Sequence, residues 1–213
     1  PLVYKNYTKN IEINNKHYNF LHIKGYCDKY ISKEANDNFN KFLYSLKQNK
    51  NVTIDTLELP NEFSICHTLH EMIYCKSLSY YFKEEWNSNE KKFSKVLSKM
   101  IIKGLSITKT QYFDALNKQE KLRLKFNKLY DKYDASLCLS ANDDAPKYKN
   151  IIDTPDYNLL FTMFHNPVIS LPLLKGSKNL PLGLQIASSK YSDYNLLKIA
   201  EYIISKNIKL NGI

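Results

Sequence analysis

Arginine is almost missing from this chain. One of its 31 basic residues is Arg, at Arg123; the others are lysines, and the net charge is +10. The planar guanidinium fork is the usual tool for bidentate phosphate and guanine contacts. The lysines are also spread along the chain rather than clustered. The charge therefore does not read as a nucleic-acid footprint, and the Lys-, Asn-, Ile- and Tyr-rich composition reads as a bias of the source. Glycine is scarce as well. Gly25, Gly104, Gly176, Gly183 and Gly212 are the full set, so no Gly-rich loop exists to cradle a phosphate or to aim backbone donors at an oxyanion. Cys27, Cys66, Cys75 and Cys138 form no CxxC pair, which predicts a reducing, cytoplasmic setting without a disulfide framework. No apolar run approaches the ~18 residues of a membrane span, and no apolar leader follows Pro1. A soluble chain is expected. Its start at Pro1 rather than Met is expected of a processed product or a piece of a longer protein.

What is present alternates between the periods of strands and helices. Tyr18 to Ile23 reads as a strand. Ser32 can cap a helix in which Ala35, Phe39, Phe42 and Leu46 step by 4, 3 and 4, one face of a 3.6-residue period. Val52 to Leu59 then alternates as a half-buried strand stopped by Pro60. Strand, helix and strand over this span predict a parallel pair. A helix is expected over 62–85, with Phe63, His70, Ile73, Tyr74, Leu78 and Tyr81 on its apolar face and a break at Asn87-Ser88-Asn89. A shorter helix is expected to end at Gly104, a good C-terminal cap residue. Thr108 and Gln111 have the form of a capping box opening a helix to about Tyr133. Ala135 to Ser140 reads as a strand, 141–155 as a loop and 156–165 as a helical turn or two. Two apolar runs, 168–174 and 182–187, flank the polar connection Lys175 to Asn179, with Gly183 marking a bulge or a close backbone approach. Leu196, Leu197, Ala200, Ile203 and Ile204 make the stripe of a last helix. The alternation predicts an α/β fold, a mixed β-sheet covered by helices, in a single domain over 1–213.

Several constellations invite chemistry. Cys66, His67, His70 and Glu71 place ligand-type residues on one helical face. Their order is neither HExxH nor HxxEH, and no second ligand group is visible, so a partly buried helix with polar and sulfur packing is expected and no metal. Ser188-Ser189-Lys190 joins a Ser pair to a Lys, but no glycine lies within four residues to supply oxyanion donors, and a nucleophile needs both base and donors. A solvated strand-to-helix loop is expected there, and a solvated turn at Asp143-Asp144. His17 and His22 have no partner visible in sequence. His165, beside Asn166-Pro167 at the entry to a strand, can line a pocket or be structural.

One stretch carries a resemblance. Asn166-Pro-Val-Ile-Ser-Leu-Pro172, a short connection, Leu180-Pro-Leu-Gly-Leu-Gln-Ile186 and then Asp193, Leu196, Leu197 and Ala200 resemble the C-terminal part of the amidase signature family. Tyr133 to Ser140, Ala145-Pro146, the set Pro155, Tyr157, Asn158 and Thr162, and the Gly104 to Tyr112 segment are similar to it too. Motifs carry the likeness over 93–204; over 18–92 only the strand–helix–strand pattern does. The resemblance implies hydrolysis of carboxamide C–N bonds by acyl transfer through Ser, with no metal or organic cofactor. The family's catalytic Lys and two Ser lie in its N-terminal half, and no residue here matches them, so no catalytic residue is expected in this chain. Thr162, His165 and Asn166 are the expected substrate-pocket residues, His165 standing where members commonly have Gly. The implied partner is a separate N-terminal amidase half, or else a second copy. A small amide would be bound only in the assembled enzyme, with no nucleic acid and no membrane involved.

Overall fold

The computed structural model describes residues 16–24, 28–147 and 157–207. Cys27, Gly25, Gly212, Pro155 and the greater part of the expected N-terminal arm lie outside the described residues. The chain divides into two compact units, one formed by 1–59 with 127–213 and one by 60–126.

The larger unit is built on a five-stranded sheet. Its strands are β1 (Tyr18–Lys24), β2 (Val52–Glu58), β3 (Ala135–Leu139), β4 (Val168–Lys175) and β5 (Pro181–Ala187), in the order β2-β1-β3-β5-β4. β1 pairs parallel with β2 and β3, while β5 pairs antiparallel with β3 and β4. The sheet is mixed, as expected. α1 (Lys33–Lys47) is capped by Ser32, whose side chain accepts from the Ala35 N–H at 3.1 Å, and it buries Ala35, Phe39, Phe42 and Leu46. Those four form one hydrophobic cluster with Tyr18, Phe20, Val52 and Ile54, with alternate residues of β3 and β5, and with the last helix of the chain, Asp193–Asn207. Period 3.6 on the helix meets period 2 on the strands, and each places its apolar residues on the shared face. On that last helix the buried stripe is Leu196, Ile199, Ala200, Tyr202 and Ile203, whereas Leu197 and Ile204 are exposed. The expected stripe is thus rotated by about one residue.

His22 sits at this packed face with its ring edge-on to Phe39, centroids 5.0 Å apart. Burial, with Lys24 adding like charge, pushes its imidazole down to about 4. The unfolded chain then takes up a proton near pH 6.5 that the folded chain refuses until about pH 4. Stability falls as pH drops through that window, by about 2 kcal/mol after allowing for partial exposure. Denaturation curves from pH 7 to pH 4 check this, and His22→Leu is expected to flatten the loss.

The Gly183 reading holds in both of its forms. Leu171 pairs with Leu184 and Leu174 with Leu182, so Pro172 and Leu173 together oppose Gly183 in a bulge. A Cβ at Gly183 would lie 2.2 Å from the Ser170 Oγ and 2.3 Å from the Ser140 Oγ. Pro172 is tolerated because a bulge needs no N–H from it.

The smaller unit is helical. A 3-10 turn at Asn61–Ile65 leads into α2 (Cys66–Tyr81), α3 (Lys83–Asn89), α4 (Lys95–Ser106) and α5 (Lys109–Asn127). Four expectations need correction here. The break falls at Phe82 rather than at 87–89, and α3 runs through Asn89. The buried face of α2 is Cys66, Leu69, Cys75 and Ser79, not the aromatic stripe; Tyr74 and Tyr81 are exposed. Gly104 does not end its helix. It lies buried inside α4, and a Cβ there would stand 2.0 Å from the Cys75 carbonyl oxygen and 2.8 Å from the Ser79 Cβ. The small residues of α2 and Gly104 let two helix backbones meet, and that contact decides which side of α2 is buried. The capping box is present as expected. The Thr108 N–H donates to Gln111 Oε1 at 2.9 Å and the Gln111 N–H to Thr108 Oγ1 at 3.2 Å. α5 ends at Asn127, and a 3-10 turn over Lys128–Asp131 follows, so the helix stops short of Tyr133. Among the described residues no helix is long and apolar enough to cross a membrane.

Candidate functional site

The expected pocket residues sit where α6 (Leu159–Phe164) turns into β4. α6 buries Leu159, Leu160, Phe161, Met163 and Phe164 and leaves Thr162 exposed. His165 closes it with φ 60° and ψ 35°. The Asn166 N–H donates to the Phe161 carbonyl at 2.9 Å and the His165 N–H to the Thr162 carbonyl at 3.3 Å. This is the paired 6→1 and 5→2 bonding of a Schellman ending, with Pro167 following as a stop signal. This left-handed position favours a residue without a Cβ, or one that tolerates the strain. His165→Gly is therefore expected to stabilise the chain by about 1 kcal/mol, read as a rise in Tm.

Asn166 is buried and holds three segments together. Its Nδ2 donates to Asn127 Oδ1 at 3.0 Å and to the Ser188 carbonyl at 2.9 Å. Its Oδ1 is buried with no partner among the described residues. The Gln185 Oε1 is in the same condition, although Gln185 Nε2 donates to the Tyr157 carbonyl and to the Cys138 sulfur, each at 3.3 Å. Nearby, the Tyr130 hydroxyl meets Ser136 Oγ at 2.9 Å. Burial, opposed by the Ser136 bond and reinforced by Cys138, holds the Tyr130 phenol above its usual range. It stays neutral, fit for hydrogen bonding but not for proton transfer. Thr162, His165 and Asn166 thus share one helix ending, with two side chains exposed and one buried. Asn127 and Tyr130 carried no signal in the sequence, because their partners are 39 and 6 residues away.

The tempting serines are structural. Ser188 is buried, not solvated as expected. Its Oγ donates to the Asp134 carbonyl at 3.0 Å and its N–H to the Pro167 carbonyl at 3.1 Å, so it ties the end of β5 to both neighbours. Ser189 bonds Ser192, and the Lys190 ammonium lies 4.8 Å from the Tyr191 ring centroid. No nucleophile–base pair results.

Asp143 and Asp144 are not a solvated turn either. Asp143 Oδ1 accepts from the Ser177 N–H at 2.8 Å, and its Oδ2 from the Ser177 hydroxyl at 2.5 Å. Asp144 Oδ2 accepts from the N–H groups of Lys178 at 2.8 Å and Leu180 at 3.1 Å, and its Oδ1 from the Lys178 ammonium at 3.2 Å. The two carboxylates clamp the tip of the β4–β5 hairpin. Burial raises the Asp143 carboxyl, but bonds from Ser177, the Asp144 N–H and Ser32 outweigh it and hold the group below its usual value.

Among the described residues no three His, Cys, Asp or Glu side chains converge. His70 stacks on Tyr74 at 5.8 Å, and burial pushes the Cys66 thiol up to about 12, which makes it a poor source of thiolate. Cys66, Cys75 and Cys138 are free thiols.

Known proteins match this arrangement. The family model for amidases covers residues 2–197. One glutamyl-tRNA(Gln) amidotransferase chain, from Treponema denticola, is 33% identical over 97 residues, which is 42% of this chain and 20% of that protein. A solved amidase superposes with a TM-score of 0.79 at 18% identity, over 90% of this chain and 46% of its own. The allophanate hydrolase of Kluyveromyces lactis gives 0.78 at 17% identity, over 91% of this chain and 33% of its own. These superpositions share the fold, and in each the chain spans less than half of its relative's length. With the family model extending over nearly its whole length, the chain belongs to the amidase family.

Proposed function

We propose that this chain is the C-terminal portion of an amidase-type hydrolase acting on carboxamide C–N bonds. In this reading the whole of 1–213 acts as one such portion, in the cytoplasm, where the free thiols are stable. It supplies the sheet core and one wall of the acyl pocket, with Thr162, His165 and Asn166 facing a small amide. The reaction is acyl transfer through Ser without metal or organic cofactor, and the Lys and Ser pair come from a separate N-terminal half. The observation that carries this reading is the mismatch of coverage: 90% of this chain matches 46% of the solved amidase. The buried, unpartnered Asn166 Oδ1 supports the pocket assignment, because such an acceptor is costly unless something donates to it.

The purified chain alone is expected to hydrolyse no simple amide. Ammonia release from acetamide or propionamide measures this, and turnover abolished by a substitution within the chain would overturn the reading. A second reading, a non-catalytic interaction subunit or a degenerate amidase-like protein, is favoured by His165. An imidazole held at a left-handed position is what drift leaves once a pocket no longer selects for glycine. Enhanced activity of the N-terminal half on adding this chain separates the two.

A further inference from the structure

The helical unit gathers lysines that are spread out over the chain as a whole. Glu90, Lys91, Phe93, Lys95, Ser98 and Lys99 line a cavity of about 470 Å³ beside the first turns of α4. That volume lies in the range of small-molecule sites. Lys95 and Lys99 stand four residues apart on one helix, where like charges repel and weaken it, and Lys91 precedes them in the 3-10 turn Glu90–Lys92. Three other basic side chains of this unit meet a carboxylate: Lys103 meets Glu71, Arg123 meets Glu120 and Lys125 meets Glu62. Among the described residues, Lys91, Lys95 and Lys99 meet none, and the Ser98 hydroxyl has no hydrogen-bond partner. Phe93 is half-buried and held by edge-on contacts, its ring centroid 5.9 Å from that of Phe82 and 5.4 Å from that of Trp86. The cavity thus offers positive charge and donors without an acceptor, next to an apolar ring fixed in place.

We propose that this cavity binds an organic phosphate, a phosphoryl dianion on a body that carries a flat apolar ring. The ammonium groups and the Ser98 hydroxyl donate to the phosphoryl oxygens, and the ring lies against Phe93. Three lysines and one glutamate leave the lining with a charge of +2, which a dianion neutralises and a carboxylate does not. A phosphoryl group also brings three strong acceptor oxygens. Lysine serves phosphate as a compact point charge. The scarcity of arginine, which argues against reading of nucleic-acid bases, is therefore no obstacle to holding one phosphoryl group. The cavity lies wholly within the helical unit, and its assignment does not depend on the amidase reading.

The test titrates phenyl phosphate into the full chain at ~0.1 M salt, where charges more than about 10 Å away are largely screened. Calorimetry is expected to show one-to-one binding, and the emission of Trp86, the chain's single tryptophan, is expected to change with it. Lys95→Gln combined with Lys99→Gln is expected to weaken the binding at least ~10-fold. The same pair removes a like-charge repulsion, so it is not expected to lower the melting temperature. Should it do so, Lys91→Gln, outside α4, takes its place. Lys118→Gln combined with Lys121→Gln removes equal charge from exposed positions of α5 that line no part of the cavity, and is expected to leave the affinity within about 2-fold. Methyl phosphate is expected to bind more weakly than phenyl phosphate, with the difference lost in Phe93→Leu. Absence of saturable one-to-one binding, or equal losses in the two lysine pairs, makes the cavity a solvated basic face and overturns the proposal. Methyl phosphate binding as tightly as phenyl phosphate overturns the ring-bearing ligand.

Discussion

Gly104→Ala is expected to destabilise the helical unit by roughly 3 kcal/mol. In an isolated helix the same change would be favourable by about 1 kcal/mol, because Ala is the better helix former. The sign reverses here because of what the new methyl meets. It would stand 2.0 Å from the Cys75 oxygen and 2.6 Å from the Cys75 carbonyl carbon. Those are backbone atoms of α2, which cannot rotate away, so α4 must lift from α2. Lifting it lengthens the bonds from the Lys76 ammonium to the Gly104 and Ile107 carbonyls, now 3.2 and 2.6 Å. It also opens the partly exposed Lys103–Glu71 ion pair, a minor loss. Urea denaturation of both proteins measures the difference. An unchanged midpoint would mean that the helices do not touch at this glycine.

Asp144→Ala is expected to cost about 3 kcal/mol. The carboxylate side chain is fully buried at the hairpin tip, and it accepts two backbone N–H groups and one ammonium. Truncation leaves the Lys178 and Leu180 N–H groups without their acceptor. Asp144→Asn keeps one acceptor oxygen for the two N–H groups but loses the charge and puts an amide nitrogen, which cannot accept, opposite the Lys178 ammonium, so a smaller loss, about 2 kcal/mol, is expected. The ordering Ala worse than Asn, read from thermal melting, separates geometry from charge. Gly176 belongs to the same clamp: a Cβ there would lie 2.4 Å from Asp143 Oδ1 and 2.5 Å from the Asp144 N–H nitrogen. The neighbouring Asp143 adds an acid limit. Its folded value is depressed, so its contribution is full above the unfolded carboxyl value near pH 4 and is lost as pH falls through the lower folded value.

Local patterns were legible where the chain's own neighbours decide the outcome. The Ser32 cap and the four-residue stripe of α1, the Thr108–Gln111 box and the punctuation of β2, β4 and β5 all formed as read. So did the parallel β1–β2 pair, because a short crossover helix leaves no alternative. The misreadings share another cause. The buried side of α2, the rotated stripe of the last helix, the interior place of Gly104 and the roles of Ser188, Asp143 and Asp144 all depend on residues far away in sequence. A Gly near a helix end and an Asp-Asp pair in a loop each look like local punctuation until a distant backbone is seen against them.

At the candidate site the division is the same. Residue identity and order were enough for the family resemblance and for naming the three candidates Thr162, His165 and Asn166. Folding in three dimensions was needed to put His165 at a left-handed helix ending and to make Asn166 a buried tie with one oxygen left over. It was needed too to show that Ser188-Ser189-Lys190 contains no nucleophile–base pair. Positive φ, burial and hydrogen-bond reach are properties of positions in space. A chain can encode them in segments more than a hundred residues apart, as Asp134 does by accepting from the Asn19 N–H at 2.9 Å, and nothing at either end announces the other.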